Sequence, residues 1–342
     1  MFILLTNSLS AHQLPFAREM VAQMGAANFR YVYTEQALQG GNQEVAADEP
    51  WIERIEPERL EDDPRLVEAE TLLVGGLRPL ALMARRLAAG RTTLYMTERW
   101  FKPIGIGGLL LPGWLRLLHP GYCRMARRFA QLFVSPTYRF LPIGPWALAD
   151  MRLLSRVFGV KIPESQVIPW GYFVAPSAAA ERPRPTSCPK DTPLRVLWVG
   201  RPLGWKRVET IEKAVKRLKA EGLAVTFDTF STLTLDEVRA EMRAHDVYVL
   251  ASDAREGWGA ALSEAMAEGM ICLGTHEAGA SAALLPVSHR FPVGDVRRLA
   301  ALLRACAEGR LERVALPEAF TPKGAAAKIF GMRLPQISSL TK

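Results

Sequence analysis

Apolar runs alternate with amphipathic segments along the second half of the chain. Short runs rich in β-branched and aromatic residues predict four strands, at 196–199, 225–227, 247–250 and 271–273. Apolar residues with helical spacing, or a capping pattern, predict helices from Val208 to Gly222, from Thr234 onward, at 260–268 and at 295–307. Strands and helices that alternate in this order indicate βαβ units and a parallel sheet.

The first half shows the same alternation with less regularity. It predicts strands at 2–6, 30–33, 71–74 and 92–96, and helices at 14–24, 58–69 and 79–89. After residue 97, Pro and Gly interrupt long aromatic and basic stretches. Five prolines among small and charged residues predict a linker at 174–193. Two α/β domains, at 1–173 and 194–318, are therefore expected, with a ligand cleft between the C-terminal ends of their sheets.

The length of the chain agrees with two domains, and its charge indicates a negatively charged partner. A chain of 342 residues exceeds the size that one hydrophobic core usually supports, which agrees with two domains. Hydrophobic residues make up 49% and charged residues 23%, values that exclude disordered, collagen-like and disulfide-scaffold proteins. The net charge is +8, and the stretch 97–161 alone contains 10 basic and 2 acidic residues. A negatively charged partner is therefore expected at that stretch.

Missing signals bear on the cellular compartment. No basic leader precedes the apolar run at the N-terminus, so residues 2–6 are predicted as a strand rather than a signal peptide. The uncharged stretch 103–115 is broken by Gly and Pro and is shorter than the ~20 residues that a membrane-spanning helix needs. The four cysteines have no paired spacing, so neither a zinc site nor a disulfide framework is predicted. A reducing cytoplasm is the expected compartment.

Glu256 begins a glycine-containing loop directly after the third predicted strand of this half. Gly257 and Gly259 let a ligand approach the backbone, and a helix follows whose N-terminal N–H groups and dipole suit a phosphate. Glu256 in the loop and Glu264 in the helix can accept hydrogen bonds from two parts of a polyol. The alternative is a surface helix with a glutamate near its N-terminus, which the dipole favours without any ligand.

Cationic residues follow the first strand of this half, within Gly200-Arg201-Pro202-Leu203-Gly204-Trp205-Lys206-Arg207. Lys206 and Arg207 stand at the start of a helix, where each cation opposes the dipole by roughly 0.3–1 kcal/mol. A bound anion would reverse that cost, and Arg201 could hold a phosphate with two hydrogen bonds. The alternative, that these side chains extend into solvent, is equally compatible with the sequence.

These two segments together resemble the retaining glycosyltransferases of family 4, the glycosyl transferases group 1. The resemblance rests on two glutamates separated by seven residues within 256–269, on Arg201 with Lys206, and on the segment 291–299. It covers roughly 193–310 well and the first half only in outline. It implies an α/β protein of the GT-B fold, with two Rossmann-like doubly wound domains facing a central cleft. Residues 1–173 would bind the acceptor, 194–318 would bind the nucleotide-sugar donor, and 319–342 would cross back to the first domain.

The resemblance also implies roles for single residues. Arg201 and Lys206 would neutralise the departing nucleotide diphosphate, Glu264 would bind the ribose hydroxyls, and Glu256 would bind hydroxyls of the transferred sugar. The rest of the donor site would be formed by Gly200, Gly257, Trp258, Gly259 and Ala260. A UDP- or GDP-sugar would be the co-substrate, with no cofactor, and stabilising the leaving diphosphate would be the main catalytic task. The chain contains no Asp-x-Asp triplet, so no metal is expected.

The first domain departs from the family pattern. Where the family often carries a histidine that contacts the donor sugar, this chain has Thr97-Glu98-Arg99-Trp100. Glu98 would take that place, on a sugar hydroxyl or on the acceptor nucleophile as a catalytic base, and the alternative is an exposed Glu98–Arg99 pair. The candidate acceptor residues are Ser10, His12, Gln13, Arg99 and His119, although His12 is equally suited to a helix start.

The basic stretch carries a separate expectation. Cations interleave with aromatic residues there: Arg99, Lys102, Arg116, Arg124, Arg127 and Arg128 with Trp100, Phe101, Trp114, Tyr122 and Phe129. Together with the apolar run 104–111 they suit the headgroup layer of an anionic membrane. The alternative is a buried helix and loop with a solvated basic rim. Nucleic-acid binding competes for the same charge, but no nucleic-acid motif is present and the aromatic residues cluster with aliphatic ones, so no nucleic-acid partner is expected.

The sequence therefore predicts a retaining, metal-independent GT-B glycosyltransferase. Its acceptor would be a glycan or a lipid-linked sugar in the synthesis of a cell-surface polysaccharide or lipopolysaccharide. The protein would lie in the cytoplasm, in peripheral contact with the inner face of the membrane. Three alternatives stay open: another enzyme of the same fold, such as a nucleotide-sugar epimerase or a phosphorylase, a basic nucleic-acid-binding protein, and a non-catalytic sugar-nucleotide-binding module.

Overall fold

Each of two units contains one large parallel sheet. The computed structural model describes residues 1–35, 49–106, 109–175 and 192–332. The N-terminal unit contains Met1–Gly171 and Pro322–Lys342, and the C-terminal unit contains Tyr172–Thr321. The sequence placed the ends of its two domains at 173 and 318. Most of its predicted linker, 176–191, lies outside the described residues.

The sheet of the N-terminal unit has six strands in the order β3-β2-β1-β4-β5-β8, all parallel. These are β1 (Phe2–Ser8), β2 (Phe29–Glu35), β3 (Ile52–Arg54), β4 (Thr71–Gly75), β5 (Thr92–Thr97) and β8 (Tyr138–Pro142), while β6 (Ile104–Ile106) and β7 (Leu109–Leu111) pair as an antiparallel hairpin. The central strand β1 is buried on both faces, as parallel strands covered by helices are. The sequence of β1 accordingly begins with a continuous run of apolar residues.

Helices cover this sheet. They are α1 (Leu14–Met24), α2 (Pro64–Glu68), α3 (Leu80–Ala88), α4 (Pro120–Gln131) and α5 (Pro145–Phe158), and α11 (Pro322–Phe330) returns to pack against α1. The prediction of one helix over 58–69 is wrong. A short 3-10 turn covers Pro57–Arg59, and α2 begins only at Pro64, because Asp63 is extended and its carboxylate accepts from the Arg65 N–H at 2.9 Å. Proline has no N–H to continue an earlier helix, so it marks a new first turn.

The stretch after residue 97 is ordered, which the sequence did not predict. It contains β6, β7, a 3-10 segment at Gly113–Leu118, α4, β8 and α5. Its aromatic residues are mostly core: Trp100, Phe101 and Phe129 are buried, and the Trp100 and Phe129 rings lie 4.5 Å apart. The predicted aromatic membrane belt is therefore wrong for these three residues. Trp114 is exposed and Tyr122 is half-buried.

The sheet of the C-terminal unit has five parallel strands in the order β10-β9-β11-β12-β13. They are β9 (Leu194–Val199), β10 (Val225–Phe230), β11 (Val247–Leu250), β12 (Ile271–Thr275) and β13 (Arg290–Phe291). The helices are α6 (Val208–Ala220), α7 (Leu235–Ala244), α8 (Ala260–Ala267), α9 (Gly279–Leu284) and α10 (Val296–Ala307). The four predicted strands and four predicted helices of this half are confirmed, including the capping box that begins α7 at Thr234.

None of the helices in the described ranges is both long and apolar enough to cross a membrane. Each unit has its own cluster of buried hydrophobic residues.

Candidate functional site

The order of the strands in the C-terminal unit determines where a ligand can bind. From β9 the chain moves to β10 on one side of the sheet, and β11 then pairs with β9 on the other side. The loops that follow β9 and β11 therefore diverge at the carboxyl edge of the sheet, where doubly wound folds bind ligands. Both sequence motifs of this half, 200–207 and 256–264, follow these two strands.

Lys206 and Glu256 bring the two loops together. The Lys206 ammonium donates to Oε2 of Glu256, and the Ser252 hydroxyl donates to the same oxygen at 2.9 Å. Both charged side chains are largely shielded from water, and the Lys206 Nζ lies 4.5 Å from the centroid of the Trp205 ring. A cation held over an aromatic ring and against a carboxylate has a defined position. Among the described residues, no hydrogen bond is made to Oε1 of Glu256.

Asp253 holds the loop after β9 in place. Its backbone N–H donates to the carbonyl of Trp205 at 2.9 Å, and its buried carboxylate accepts from the Arg255 guanidinium at 2.6 Å. Arg207 Nε lies 3.6 Å from the same carboxylate. Arg207 has a positive φ of 53°, which is unusual for a residue other than glycine, and it links the 3-10 turn Gly204–Lys206 to α6. With this conformation, Lys206 contacts Glu256 whereas Arg207 lies next to Asp253.

The glycine-containing loop ends in a left-handed residue at the N-terminus of α8. Gly259 has φ +96°, and a Cβ there would lie 2.6 Å from Leu250 Cδ2. A Cβ on Gly279 would lie 2.1 Å from the carbonyl oxygen of Gly257, so the start of α9 packs directly on this loop. Glycine is required at both positions, one for its backbone conformation and one for close approach.

Trp258 is a structural residue of the loop rather than an exposed one. Its ring is fully buried and stacks on Phe320 at 5.7 Å, and its Nε1 donates to Ser263 Oγ at 3.1 Å. Its carbonyl accepts from the Ala280 N–H at 2.8 Å. The side chain therefore fixes the start of α8, where Ala260 is the first helical residue, and only its backbone is placed to meet a ligand.

Glu264 lies on α8 and is largely buried. Behind it on β11, the Tyr248 hydroxyl is fully buried and has no hydrogen-bond partner among the described residues. Burial raises the pKa of Tyr248 well above its ordinary value, and the nearby negative charges of Glu256 and Glu264 raise it further. The charges of both motif glutamates thus act on the Tyr248 hydroxyl.

Arg201 and Gly200 complete the loop after β9. Arg201 is exposed, and its guanidinium makes no hydrogen bond or ion pair with the described part of the chain. It is therefore available to an anion arriving from solvent. Ser252 and Asp253 were not predicted from the sequence. Both follow β11 directly, and the rule that ligand-binding groups follow the carboxyl ends of parallel strands could have identified them.

In the N-terminal unit, the loops after β1, β4 and β5 lie at one edge because these strands are neighbours in the sheet. Ser10 Oγ accepts from the His12 N–H at 3.3 Å, and the Ser10 N–H donates to the Tyr31 hydroxyl at 3.1 Å. Gln13 precedes α1 and is buried, and its Oε1 has no hydrogen-bond partner among the described residues. Ser10, His12 and Gln13 therefore lie in one compact turn, and Gln13 offers an acceptor atom.

Glu98 and Arg99 follow β5 but do not pair with each other. Lys102 Nζ donates to Glu98 Oε2 at 2.8 Å, and Arg99 Nε lies 3.9 Å from Oδ1 of Asp150. Burial raises the pKa of Asp150, whose Oδ2 accepts from the Phe101 N–H at 2.8 Å. The alternative of an exposed Glu98–Arg99 pair is therefore wrong, because each residue has another partner.

His119 lies at the N-terminus of α4, away from the strand ends in the chain. Its Nδ1 accepts from the Tyr122 N–H at 3.4 Å, so it caps the helix. This contact accounts for a histidine at that position without any ligand. Within the described ranges, no group of three or more His, Cys, Asp or Glu side chains is arranged to hold a metal ion.

Comparisons with known proteins agree with this architecture. Residues 183–308, somewhat more than a third of the chain, match the family model described as Glycosyl transferases group 1. Among solved structures, apo OtsA superposes with a TM-score of 0.63 at 10% identity, covering 96% of this chain and 98% of that chain. HepE of Anabaena in complex with UDP gives a TM-score of 0.57 at 13% identity, covering 96% and 95%.

A third structure, the α,α-trehalose 6-phosphate synthase of Burkholderia multivorans, gives a TM-score of 0.57 at 12% identity and covers 90% of both chains. None of the curated proteins matches the chain significantly. The structural likenesses define the class: the protein has the GT-B fold, as predicted. The matched family segment spans the loop and helix that hold Lys206, Glu256 and Glu264.

Proposed function

We propose that the protein is a glycosyltransferase that moves a sugar from a nucleotide-diphosphate sugar to a glycan or lipid-linked acceptor. The observation that carries the proposal is the pairing of Lys206 with Glu256. The two residues follow β9 and β11, the strands at which the strand order of the C-terminal sheet reverses. The match of 183–308 to a glycosyltransferase family model and the UDP complex of the structurally similar HepE support it. UDP-sugars are accordingly the first donors to test, and GDP-sugars the second.

In the proposed reaction, positively charged groups lie where the leaving group develops negative charge. The bond between the anomeric carbon and the diphosphate oxygen breaks, and the acceptor hydroxyl oxygen bonds to the same carbon as it loses its proton. Lys206, Arg201 and the N-terminal N–H groups of α8 stabilise the departing diphosphate. Glu256 Oε1 accepts from a hydroxyl of the sugar, and Glu264 accepts from the ribose. We propose that these cationic groups stabilise the leaving group without a cofactor.

Retention of the anomeric configuration is part of the proposal. It requires the acceptor to approach on the face of the sugar from which the diphosphate leaves, so one cationic cluster serves both bonds. The departing diphosphate oxygen, stabilised by Lys206, is then close enough to receive the acceptor proton. Glu98 is proposed as a contact to a donor-sugar hydroxyl, with Lys102 holding its Oε2. Ser10 and Gln13 are proposed to meet the acceptor.

Nucleotide binding tests the donor site first. Thermal shifts are measured with UDP, GDP and ADP on the wild type and on Lys206→Ala, and on Lys213→Ala as a control because Lys213 is an exposed lysine on the neighbouring α6. Stabilisation by one nucleotide, lost in Lys206→Ala and kept in Lys213→Ala, is expected. No stabilisation by any nucleotide or nucleotide sugar would remove the main support for the proposal.

Product analysis separates the transferase from other enzymes of this fold. A transferase releases nucleoside diphosphate in proportion to a glycosylated acceptor, and NMR of the new anomeric centre reports retention. Conversion of the nucleotide sugar to its epimer without an acceptor would identify an epimerase instead. The acceptor is proposed to belong to cell-surface polysaccharide or lipopolysaccharide synthesis, presented at the cytoplasmic face of a membrane.

A further inference from the structure

Large apolar side chains project from the segment that follows β5. The set, named here the apolar ridge, consists of Ile106, Leu109, Leu110, Trp114 and Leu118, all exposed. Leu109 is 70% exposed and Leu118 is 74% exposed. Ile106 and Leu109 are directly opposite each other in the antiparallel β6–β7 pair, so they share one face of the hairpin. Exposed aliphatic side chains at this density mark an interaction surface.

The ridge is attached firmly to the core of the N-terminal unit. Arg116 donates to the carbonyl of Lys102, which ties the 3-10 segment to the strand that enters the hairpin. Gly113 is buried, and a Cβ there would lie 2.1 Å from the carbonyl oxygen of Phe101. Because Phe101 is itself buried, the base of the hairpin has a fixed position. The fold therefore holds the apolar ridge in a fixed position on the N-terminal unit.

Three arginines lie on α4, the helix that begins directly after the 3-10 segment of the ridge. Arg124, Arg127 and Arg128 are exposed, have the spacing of one helix face, and form no ion pair with a described residue. The opposite face of α4 is buried through Ala126, Phe129 and Ala130. We name these three residues the arginine face.

Acidic residues do not offset this positive charge. Between 97 and 161 the sequence contains two, Glu98 and Asp150. Glu98 pairs with Lys102, and Asp150 is buried and accepts from the Phe101 N–H. Apolar surface also extends past Arg128, into a groove of about 490 Å³ between α3 and α4 that Leu80, Ala84 and Val134 help to line.

We propose that the apolar ridge and the arginine face form a docking surface for an anionic lipid bilayer. The ridge enters the boundary between headgroups and acyl chains, and the arginine face contacts lipid phosphates. Protruding aliphatic side chains next to uncompensated arginines suit a bilayer surface, which offers hydrocarbon and phosphate in adjacent layers. A nucleic acid offers no place for Leu109 and Leu110, and the buried Trp100 and Phe129 rings are not available to stack on bases. This inference deepens the proposed function, because it supplies the route to a lipid-linked acceptor.

Vesicle sedimentation of the full chain tests the surface. Vesicles of phosphatidylcholine are compared with vesicles that contain about 30 mol% phosphatidylglycerol, at about 0.1 M and about 0.5 M NaCl. Binding to the anionic vesicles, reduced at the higher salt and weak on the neutral ones, is the expected result. Equal binding to both kinds of vesicle would overturn the role of the arginine face.

Two matched pairs of variants locate the surface. R127Q/R128Q is expected to bind about 30-fold more weakly, since each cation near an anionic bilayer contributes about 1 kcal/mol. R297Q/R298Q removes two adjacent exposed arginines from α10 in the C-terminal unit and is expected to bind like the wild type. L109S/L110S is expected to bind about 10-fold more weakly, whereas Val287→Ser, at a position 67% exposed elsewhere, changes little.

Three outcomes would overturn the proposal. Equal losses in R127Q/R128Q and R297Q/R298Q would make the attraction a property of net charge alone. Binding of the wild type to a single-stranded oligonucleotide but not to anionic vesicles, lost in R127Q/R128Q, would point to a nucleic acid. A wild-type dimer that L109S/L110S dissociates, without vesicle binding, would point to a second copy of the chain. Nucleotide thermal shifts on the same proteins report the donor site separately, so failure of the proposed function and failure of docking are distinguishable.

Discussion

Lys206 donates a hydrogen bond from its ammonium group to Oε2 of Glu256, across the two loops that follow β9 and β11. The contact joins residues 50 positions apart in the sequence. It also means that a cation suited to a diphosphate and a carboxylate suited to a sugar hydroxyl form one unit. Ser252 donates to the same Oε2, so both hydrogen bonds that this carboxylate accepts among the described residues fall on one of its two oxygens.

The first prediction concerns this pair. Lys206→Ala is expected to lower kcat by about 100- to 1000-fold, the usual cost of removing one preorganised group that stabilises developing charge. Glu256→Ala is expected to lower kcat as well, because it removes the carboxylate that holds Lys206 in position. The double variant is expected to lose much less than the product of the two single losses, because the residues act as a unit. Steady-state kinetics with a saturating nucleotide sugar measure all three. Multiplicative losses would show that the two side chains act independently.

The second prediction concerns Gly259. Gly259→Ala combines a positive φ of 96° with a Cβ 2.6 Å from Leu250 Cδ2, so it is expected to displace the loop and weaken nucleotide binding. Gly222→Ala is the matched control: its φ is +84°, and a Cβ there meets nothing within 4 Å. The control should lower the free energy of unfolding by about 1–2 kcal/mol from backbone strain alone, with unchanged nucleotide affinity. Equal effects of both variants on nucleotide affinity would count against a ligand-facing loop.

The C-terminal unit was the more predictable half because its strands are short apolar runs between helices of regular period. The prediction at 196–199 became β9 at Leu194–Val199, and the prediction at 247–250 coincides with β11. Glu256 and Lys206 were identified by their motifs. Their contact was not, since sequence spacing does not show which strands are neighbours in a sheet. Asp253, which fixes the loop after β9, carries no motif of its own.

The N-terminal unit was less predictable for a physical reason. In the stretch 97–161, aromatic residues and arginines are interleaved in the sequence, and composition alone does not show which of them are buried. Phe129 and Arg128 are adjacent in the sequence, yet one is in the core and the other is exposed. Similarly, the prediction of one helix over 58–69 did not take account of Pro64, which has no N–H to continue a helix from the preceding turn and therefore begins α2.

The third prediction concerns Arg86, which is fully buried on α3. Its guanidinium donates to the carbonyls of Leu66, Val67, Ala69 and Thr92 and to the Thr93 hydroxyl, at 2.6–3.2 Å. Burial lowers its pKa to about 10, so the side chain is still charged at neutral pH. Arg86→Leu is expected to lower the free energy of unfolding by about 3–5 kcal/mol, because it leaves several buried carbonyls without donors.

Arg85→Leu provides the control for Arg86. Arg85 is the preceding residue on α3, is about half exposed, and lies 3.8 Å from the exposed carboxylate of Asp62. Its loss should cost less than about 1 kcal/mol, as for other surface pairs. Urea unfolding followed by circular dichroism measures both variants. Similar costs for the two would contradict the buried network as the origin of the effect.

The fourth prediction concerns Lys328 on α11, whose ammonium donates to the carbonyl of Pro169 at 2.9 Å. Burial lowers its pKa from 10.5 to about 8. Below pH 8 the folded protein carries the cost of a partly buried charge. As the pH rises from 8 toward 10.5, the folded state loses this proton while the unfolded state keeps it, so stability rises.

Lys328→Met removes this titration. The difference in unfolding free energy, wild type minus variant, is expected to increase by about 1 kcal/mol between about pH 7 and pH 10, a value reduced because the side chain is partly solvated. Lys323→Met, at an exposed position of the same helix, should show no such trend. Urea unfolding at several pH values gives both differences. A difference that stays constant would show that Lys328 titrates as it does in water, and one that decreases with rising pH would show that folding raises its pKa.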